Sequence, residues 1–370
     1  MAEAVKLGDA PQEDTRIPGF LMRRLRAKAL ANDVPLHVML EVTNHCNLWC
    51  RHCYISDRPP KGELTLDEFK DILDQLAAEG TLFLTFSGGE PLVRQDFFQI
   101  AAYVREKEFS FTLFSNGTLI TPEVADRLQE LCPQRAEISL LGGRASTHDG
   151  ITQVKGSFDR ALRGARLLIE RGGKVQLKTT WMQENVEEAE QILSLVDEMG
   201  ASFRGASLVI HRRDGSAETA DLRATPDQLR AMAQRSYDRN PDEKRIPPAP
   251  VPLTEEQKQH MSPCGAGQTS CRIDSYGNVY PCAAMDIVLG SLREETFATI
   301  WHGSEELKRI RAIHVSDLSE CSSCDLFLRC NRCAGLVKME TGNLLGPSPQ
   351  ACEVAYAFEG FYQEKRCELH

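Results

Sequence analysis

The chain has 370 residues, which exceeds one small module and suggests two domains or one large barrel-like domain with an appendage. Hydrophobic residues make up 42% and charged residues 26%, so the chain can bury an ordinary core and is not disordered. A formal net charge of −10 argues against a nucleic-acid-binding protein, and a sequence without a long apolar span or a signal peptide predicts a cytoplasmic protein with no membrane contact.

Strand-like and helix-like segments alternate from about residue 36 to residue 210. The first strand is predicted at 37–42, and a capping box at 65–68 begins an amphipathic helix that ends at Gly80. Further strands are predicted at 82–86, 109–114, 137–141, 174–180 and near 207–210, with helices at 96–108, from Thr121, at 157–171 and at 187–199. Six strands alternating with helices predict an α/β fold with a parallel sheet, whose active site lies at the carboxyl ends of the strands.

The chain is expected to divide into five parts. These are an N-terminal extension at 1–35 with an amphipathic helix, the alternating region at 36–240, a linker at 241–263, a cysteine-rich domain at 264–355 and a tail at 356–370. The linker is predicted from its six prolines, which disfavour a packed element. The cysteine-rich domain is expected to have little regular structure.

Thirteen cysteines are an excess that, in a cytosolic chain, indicates metal binding or redox chemistry. Three of them, Cys46, Cys50 and Cys53, follow the first predicted strand on one loop. A cubane iron–sulfur cluster needs four ligands, so three close cysteines without a nearby fourth suggest a cluster with one open iron. The alternative is a structural zinc site completed by His45 or His52.

The spacing Cys46-x3-Cys50-x2-Cys53, followed by the aromatic Tyr54, resembles the radical S-adenosylmethionine (SAM) superfamily. The resemblance implies a partial (β/α)6 parallel barrel and a [4Fe–4S] cluster whose open iron is chelated by SAM. In that family an electron from the cluster cleaves SAM to methionine and a 5′-deoxyadenosyl radical, which abstracts hydrogen from the substrate. A flavodoxin or ferredoxin is then the expected electron donor.

Polar residues at the ends of the later strands are the expected SAM contacts. Gly88, Gly89 and Glu90 match the family's Gly-Gly-Glu motif, which is expected to hold the SAM amino group. Ser115, Asn116, Ser139 and Lys178 are further expected contacts, although Ser139 is equally compatible with an ordinary strand hydroxyl. No residue is identified as the acid or base of the reaction.

Eight more cysteines lie between residues 264 and 352, enough for two further four-iron clusters. Their spacing, with the element Gly277-x4-Cys282, resembles the SPASM extension of radical SAM enzymes that modify peptides and proteins. The resemblance implies that the first auxiliary cluster takes Cys264, Cys271, Cys282 and Cys333. It implies that the second takes Cys321, Cys324, Cys330 and Cys352. The chain departs from the family's pattern just before Cys333, where the gap is two residues and not the commoner three.

The SPASM resemblance points to a ribosomally made peptide or protein as substrate, and to a crosslink or another oxidative modification as the outcome. Because only about 35 residues precede the first strand, a separate leader-binding protein is expected to supply recognition. The alternatives are a tetrapyrrole-modifying enzyme and a sulfatase-type maturase, the latter disfavoured by Ala283 after Cys282. Two non-enzymatic alternatives are a multi-cluster electron carrier and a zinc-stabilised scaffold.

Overall fold

The computed structural model describes residues 20–56, 62–239 and 246–368. Its strands are β1 His37–Thr43, β2 Phe83–Gly88, β3 Ser110–Ser115, β4 Arg135–Ser139, β5 Val175–Thr180, β6 Ser202–Ala206, β7 Ser270–Ile273, β8 Asn278–Tyr280 and β9 Gly290–Ser291. Its helices are α1 Phe20–Ala31, α2 Leu66–Ala78, α3 Phe97–Glu106, α4 Pro122–Glu130, α5 Ala145–Thr152, α6 Ser157–Glu170, α7 Ala189–Met199, α8 Pro226–Arg239, α9 Glu255–His260, α10 Phe297–Gly303, α11 Glu305–Arg311, α12 Ala334–Thr341 and α13 Pro349–Glu368. No helix among these residues is both long and apolar enough to cross a membrane.

The nine strands form one sheet in the order β6-β5-β4-β3-β2-β1-β7-β8-β9. Strands β1 to β6 are parallel neighbours, β7 pairs in parallel with β1, and β8 and β9 continue as antiparallel strands. This confirms the α/β class and the parallel sheet of the radical SAM type. Because parallel strands end on the same side, the loops after β1 to β6 meet at one edge.

The sheet has one apolar face and one polar face. Along β1, Val38, Leu40 and Val42 are fully buried in the main core, where Phe69 of α2 and Phe97 of α3 also lie. Successive strand residues point to opposite faces, so Met39 and Glu41 face the interior of the partial barrel. The predicted capping box of α2 is present, with Thr65 accepting from the Glu68 N–H and Glu68 accepting from the Thr65 N–H.

The sixth strand differs from the prediction near 207–210. Helix α7 is followed by its C-cap Gly200, whose left-handed conformation (φ 61°) turns the chain directly into β6 at Ser202. Of the apolar residues that suggested a strand, Val209 is buried by loop packing instead, in a small cluster with Leu141 and Met182.

The cysteine-rich region contains more regular structure than was expected from its composition. Strands β7 to β9 extend the main sheet, and Phe297, Trp301 and Leu307 of α10 and α11 belong to the main core. The expected tail from residue 356 lies within α13, which packs on α8 with Phe361 against Tyr237. The expected linker contains α9 and the buried Leu253, although its residues 241–245 fall outside the described part of the chain.

Candidate functional site

The three-cysteine loop leaves the carboxyl end of β1 and is supported by the end of α5. The Trp49 N–H donates to the Thr152 carbonyl at 3.0 Å, and the Arg51 N–H donates to the Ile151 carbonyl at 2.9 Å. Helix α5 is in turn fixed to the end of β4, because His148 Nδ1 accepts from the Leu141 N–H at 3.1 Å. The loop that carries Cys46, Cys50 and Cys53 is therefore held at the predicted edge of the sheet, with all three thiols half-buried.

The Gly88–Gly89 turn packs directly on the chain that leads into this loop. The Gly89 N–H donates to the Thr43 carbonyl at 2.7 Å, and the Glu90 N–H donates to the His45 carbonyl at 2.8 Å. A Cβ atom on Gly88 would lie 2.2 Å from the Thr43 oxygen, and one on Gly89 would lie 2.1 Å from the His45 oxygen. Glycine is needed at both positions because only a bare backbone can approach so closely.

The Glu90 carboxylate is directed into the protein, where it joins the ends of two strands. It accepts from the Ser115 hydroxyl at 2.9 Å, the Asn116 N–H at 2.7 Å and the Leu92 N–H at 3.2 Å. Burial raises the pKa of Glu90 to about 7, against the opposing effect of these three donors. The expected contact between this carboxylate and the SAM amino group stays a prediction, and within the protein the same carboxylate connects the ends of β2 and β3.

Asn116 lies beside the first cysteine. Its Nδ2 atom is 3.7 Å from Cys46 Sγ and donates to Asn47 Oδ1 at 2.9 Å. Thr118 completes the arrangement by donating to Asn116 Oδ1 at 2.6 Å and accepting from Asn47 Nδ2 at 2.8 Å. Asn47 and Thr118 were not predicted, and the turn-forming Ser-Asn-Gly-Thr segment is the signal that could have suggested Thr118.

Ser139 and Lys178 face each other as register partners on β4 and β5. Lys178 Nζ lies 3.2 Å from a carboxylate oxygen of the buried Glu137 and 3.4 Å from the centre of the Phe114 ring. Burial lowers the pKa of Lys178, and Glu137 opposes that effect. The structure thus places both predicted residues on the barrel interior, with Lys178 engaged by Glu137.

A cavity of about 320 Å³ opens beside the cysteine loop. Its lining residues are Trp49, Cys50, Cys53, Ile55, Ser56 and Arg212. Arg212 was not predicted, and it brings a cation from the loop after β6 to the edge of the cavity.

Next to Arg212, a buried ionic network joins the cysteine loop to β1 and β7. Arg213 donates to Glu41 at 2.9 Å, lies over the Tyr54 ring at 4.6 Å and donates its backbone N–H to the Tyr54 carbonyl. Arg272 of β7 donates to the same carboxylate at 3.1 Å. Burial, followed by the negative charge of Glu41, raises the pKa of Tyr54 to about 12, so its phenol stays protonated.

The cysteine loop fits a multi-iron group through the chemistry of its donors and its support. Three thiols project from eight residues, and the Leu48 N–H (3.4 Å) and Asn116 Nδ2 point at Cys46 Sγ, where they would stabilise a thiolate. In the described parts of the chain, no three His, Cys, Asp or Glu side chains converge as they would around one metal ion. The fit therefore rests on the placement of the loop and on these donors.

The four cysteines expected to hold the second auxiliary cluster, Cys321, Cys324, Cys330 and Cys352, form the second auxiliary set. They lie between a short loop and the start of α13. Cys330 Sγ lies 3.7 Å from the Ala351 carbonyl, next to Cys352. Burial, and then the charge of Cys352, raises the pKa of Cys330 to about 11. Burial, and then the charges of Cys321 and Cys324, also raises the pKa of Cys352. All four predicted residues are thus close together, beside a larger cavity of about 820 Å³ at Cys324.

The cysteines expected to hold the first auxiliary cluster (the first auxiliary set: Cys264, Cys271, Cys282 and Cys333) are not all close together. Burial raises the pKa of Cys282 to about 11, with added contributions from Cys333 and Cys264, so these three thiols are neighbours. Cys271 lies elsewhere, in the main core. None of the thirteen cysteines, which all lie within the described residues, is in a disulfide, and Cys132 and Cys367 are exposed.

Comparison with protein-family models gives two matches. The Radical SAM superfamily model matches residues 40–196, and the iron-sulfur cluster-binding domain SPASM matches residues 264–325. The AdoMet-dependent heme synthase of Methanosarcina barkeri (strain Fusaro / DSM 804) is 30% identical, over 86% of this chain and 96% of its own. The mycofactocin maturase MftC of Mycobacterium tuberculosis (strain ATCC 25618 / H37Rv) is 31% identical, over 87% of this chain and 84% of its own.

Solved structures share the fold at lower sequence identity. Streptococcus suis SuiB bound to precursor peptide SuiA has a TM-score of 0.69 at 17% identity, and the match covers 95% of this chain and 84% of that one. The protein anSMEcpe with bound AdoMet also has a TM-score of 0.69 at 17% identity, with 90% and 95% covered. At these identities the likeness concerns the fold alone.

Proposed function

Because the chain belongs to the radical SAM superfamily and carries its SPASM domain, we propose that it cleaves SAM reductively at a [4Fe–4S] cluster held by Cys46, Cys50 and Cys53. The observation that carries this proposal is the position of the three thiols on one supported loop, at the carboxyl ends of the strands and beside a cavity of about 320 Å³. When bound, the cluster and SAM supply a 5′-deoxyadenosyl radical that abstracts hydrogen from the substrate.

The residues around the loop would hold and tune this centre. Gly88 and Gly89 fix the chain before Cys46, while the Asn116 amide favours the thiolate form of Cys46. Ser139 and Lys178 on the barrel interior, and Arg212 at the cavity, supply polar groups for the SAM ribose and carboxylate. Glu137 pairs with Lys178 at 3.2 Å and opposes the effect of burial on the pKa of this amine.

Two auxiliary [4Fe–4S] clusters in the region 264–355 belong to the same proposal, with 36–240 as the SAM-binding domain. The eight downstream cysteines support it, since seven of them lie in two close groups. Such clusters would carry electrons or shape the substrate pocket. A flavodoxin or ferredoxin would supply the electron that starts the reaction.

The substrate that we propose is a ribosomally made peptide or protein, which would receive a crosslink or another oxidative modification. The relative whose name supports this is a maturase, 31% identical over 84% of its length. A separate leader-binding protein would deliver the peptide. Calorimetry that found tight leader binding by this chain alone would contradict that part of the proposal.

A tetrapyrrole is the second candidate substrate, and the names of two relatives favour it. A heme synthase is 30% identical to this chain over 96% of its own length, and a Fe-coproporphyrin III synthase of the same organism is 36% identical over 53% of this chain. A sulfatase-type reaction has less support because Ala283 follows Cys282.

Hydrogen transfer to 5′-deoxyadenosine distinguishes the candidates. The iron-loaded enzyme is reduced anaerobically with SAM and either a deuterated candidate peptide, with its leader-binding protein, or deuterated Fe-coproporphyrin. If the peptide is the substrate, its reaction should give deuterated 5′-deoxyadenosine and a change in the mass of the peptide. The porphyrin reaction should then give no deuterated 5′-deoxyadenosine and no change in the mass of the porphyrin. The opposite pattern would select the tetrapyrrole and reject the peptide.

A further inference from the structure

Cys271 lies in β7, whose pairing with β1 decides where its thiol points. In the parallel register, Cys271 is opposite Val38 and Arg272 is opposite Met39. Neighbouring residues of a strand face opposite sides of the sheet. Arg272 reaches the barrel interior, where it meets Glu41, so Cys271 is directed to the helix-covered side.

The surroundings of Cys271 are those of a core residue. It is 3% exposed and belongs to the same apolar cluster as Val38 and Leu40 of β1 and Trp301 and Leu307 of α10 and α11. Burial raises the pKa of its thiol, and the positive charge of Arg311 opposes this rise. Cysteine in such a site behaves as a small apolar side chain.

The other three members of the set are held together by a different group of contacts. Cys264 and Cys282 pack on a separate apolar cluster that contains Met285 and Ala334. The Gly267 N–H donates to the Pro281 carbonyl at 2.8 Å, which folds the chain after Cys264 back to the chain before Cys282.

Cys333 is brought to the same place by the start of α12. Cys333 is the N-cap residue of this helix. Two residues on, Gly335 packs so closely on the turn after Cys282 that a Cβ atom would lie 2.3 Å from the Ala284 carbonyl. The close approach of α12 to this turn therefore fixes Cys333 beside Cys282, without any contribution from Cys271.

We propose that the first auxiliary cluster is held by Cys264, Cys282 and Cys333 alone, and that its fourth iron carries a non-cysteine ligand. This inference rests on the proposed function, because it presupposes that the cluster is present. The ligand would be an oxygen donor such as water in the resting enzyme. A soft donor, such as a substrate thiolate, would replace it because iron–sulfur sites prefer sulfur.

The test uses the full-length iron-loaded protein in which Cys46, Cys50 and Cys53 are all changed to alanine. This background removes the first cluster, whose own open iron would otherwise mask the result. About eight irons are expected to remain, from two four-iron clusters. If this background protein holds no iron at all, the auxiliary clusters of the proposed function are refuted and not merely the ligand assignment.

In that background, Cys271→Val should keep about eight irons, whereas Cys282→Ala should fall to about four. Cys132→Ala, at an exposed cysteine, is the matched control and should also keep about eight. Loss of about four irons in Cys271→Val, at an unchanged melting temperature, would overturn the proposal.

Mössbauer spectroscopy of the background protein gives an answer that does not depend on how Cys271→Val folds. One of the eight irons should differ from the rest and should respond to added 2-mercaptoethanol. Eight irons that all have four sulfur ligands, and no response to the thiol, would show that Cys271 or another cysteine completes the cluster.

Discussion

Arg272 of the cysteine-rich region and Glu41 of β1 form an ion pair at 3.1 Å, with both side chains almost completely buried. Arg213, from the loop after β6, binds the same carboxylate. Arg272 also reaches Asp286 at 3.2 Å and lies 3.7 Å from the centre of the Tyr280 ring. Two distant parts of the chain, the loop after β6 and strand β7, are therefore attached to β1 five residues before Cys46.

Removing Arg272 should be strongly destabilising. Arg272→Met leaves Glu41 with one cation in a buried site, and breaking such a pair costs about 3–5 kcal/mol. Guanidinium unfolding of the iron-loaded protein measures the loss. Lys308→Ala, which breaks an exposed pair with Glu305, is the control and should change stability by at most about 0.5 kcal/mol. Equal effects of the two changes would rule out a structural role for the network.

Gly89→Ala should disrupt the first cluster site selectively. The added Cβ would meet the His45 carbonyl at 2.1 Å, so the chain that leads into Cys46 has to move. We expect loss of about four irons per chain and of SAM cleavage, with the auxiliary iron retained. Gly303→Ala, where nothing lies within 4 Å of the new atom, should leave both unchanged. Iron analysis and quantification of 5′-deoxyadenosine check the result.

Acid should weaken the support of the cysteine loop through His148. Burial lowers the pKa of His148 to about 4, so the unfolded chain takes up this proton near pH 6.5 while the folded protein does not. The contribution of His148 to the free energy of unfolding is therefore complete above pH 6.5 and is lost as the pH falls towards 4. Lowering the pH from 7 to 5 should reduce the free energy of unfolding by about 2 kcal/mol through this residue alone.

The variant His148→Gln can still accept the Leu141 N–H but cannot titrate. Its free energy of unfolding should therefore change less between pH 7 and pH 5 than that of the unaltered protein. His302→Gln, at the surface, controls for the loss of a histidine. An identical pH dependence in His148→Gln and the unaltered protein would exclude this contribution.

Arg332 lies between the two auxiliary sets and should tune their reduction potentials. It is buried, donates to the Gly346 carbonyl at 3.1 Å, and its positive charge opposes the burial-driven rise in the pKa of both Cys264 and Cys321. A nearby positive charge stabilises a reduced, more negative cluster. In Arg332→Met, at least one auxiliary midpoint potential should fall by about 60 mV, the one-electron equivalent of about 1.4 kcal/mol.

A redox titration followed by electron paramagnetic resonance measures that shift. Arg309→Met, at a largely exposed arginine, is the control and should leave the potentials in place. If Arg332→Met retains all its iron and has the same reduction potentials as the unaltered protein, Arg332 does not tune the auxiliary clusters.

The parts of the site that lie close together in the sequence could be predicted. The spacing of Cys46, Cys50 and Cys53 and the Gly88–Gly89 turn identified the centre, and the alternation of strands and helices placed both at one edge of the sheet. The hydrogen bonds that Glu90 makes within the protein could not be predicted, because they depend on how the ends of β2 and β3 meet.

The buried network and the position of Cys271 could not be predicted for a related reason. Glu41 is 172 residues from Arg213 and 231 residues from Arg272, and spacing carries no information over such distances. Cys271 has a plausible ligand spacing, but the β1–β7 register decides the face to which it points. The apolar segment around Val209 suggests a strand because the burial of Val209 in a loop cluster gives the same apolar pattern.

SAM cleavage at the three-cysteine loop is tested most directly by the amount of 5′-deoxyadenosine formed on anaerobic reduction with SAM. The unaltered protein is compared with the variant in which Cys46, Cys50 and Cys53 are all changed to alanine. We expect about twelve irons and 5′-deoxyadenosine formation in the unaltered protein. In the variant we expect about eight irons and no cleavage. Cleavage that persists in the variant would contradict the assignment of these three cysteines.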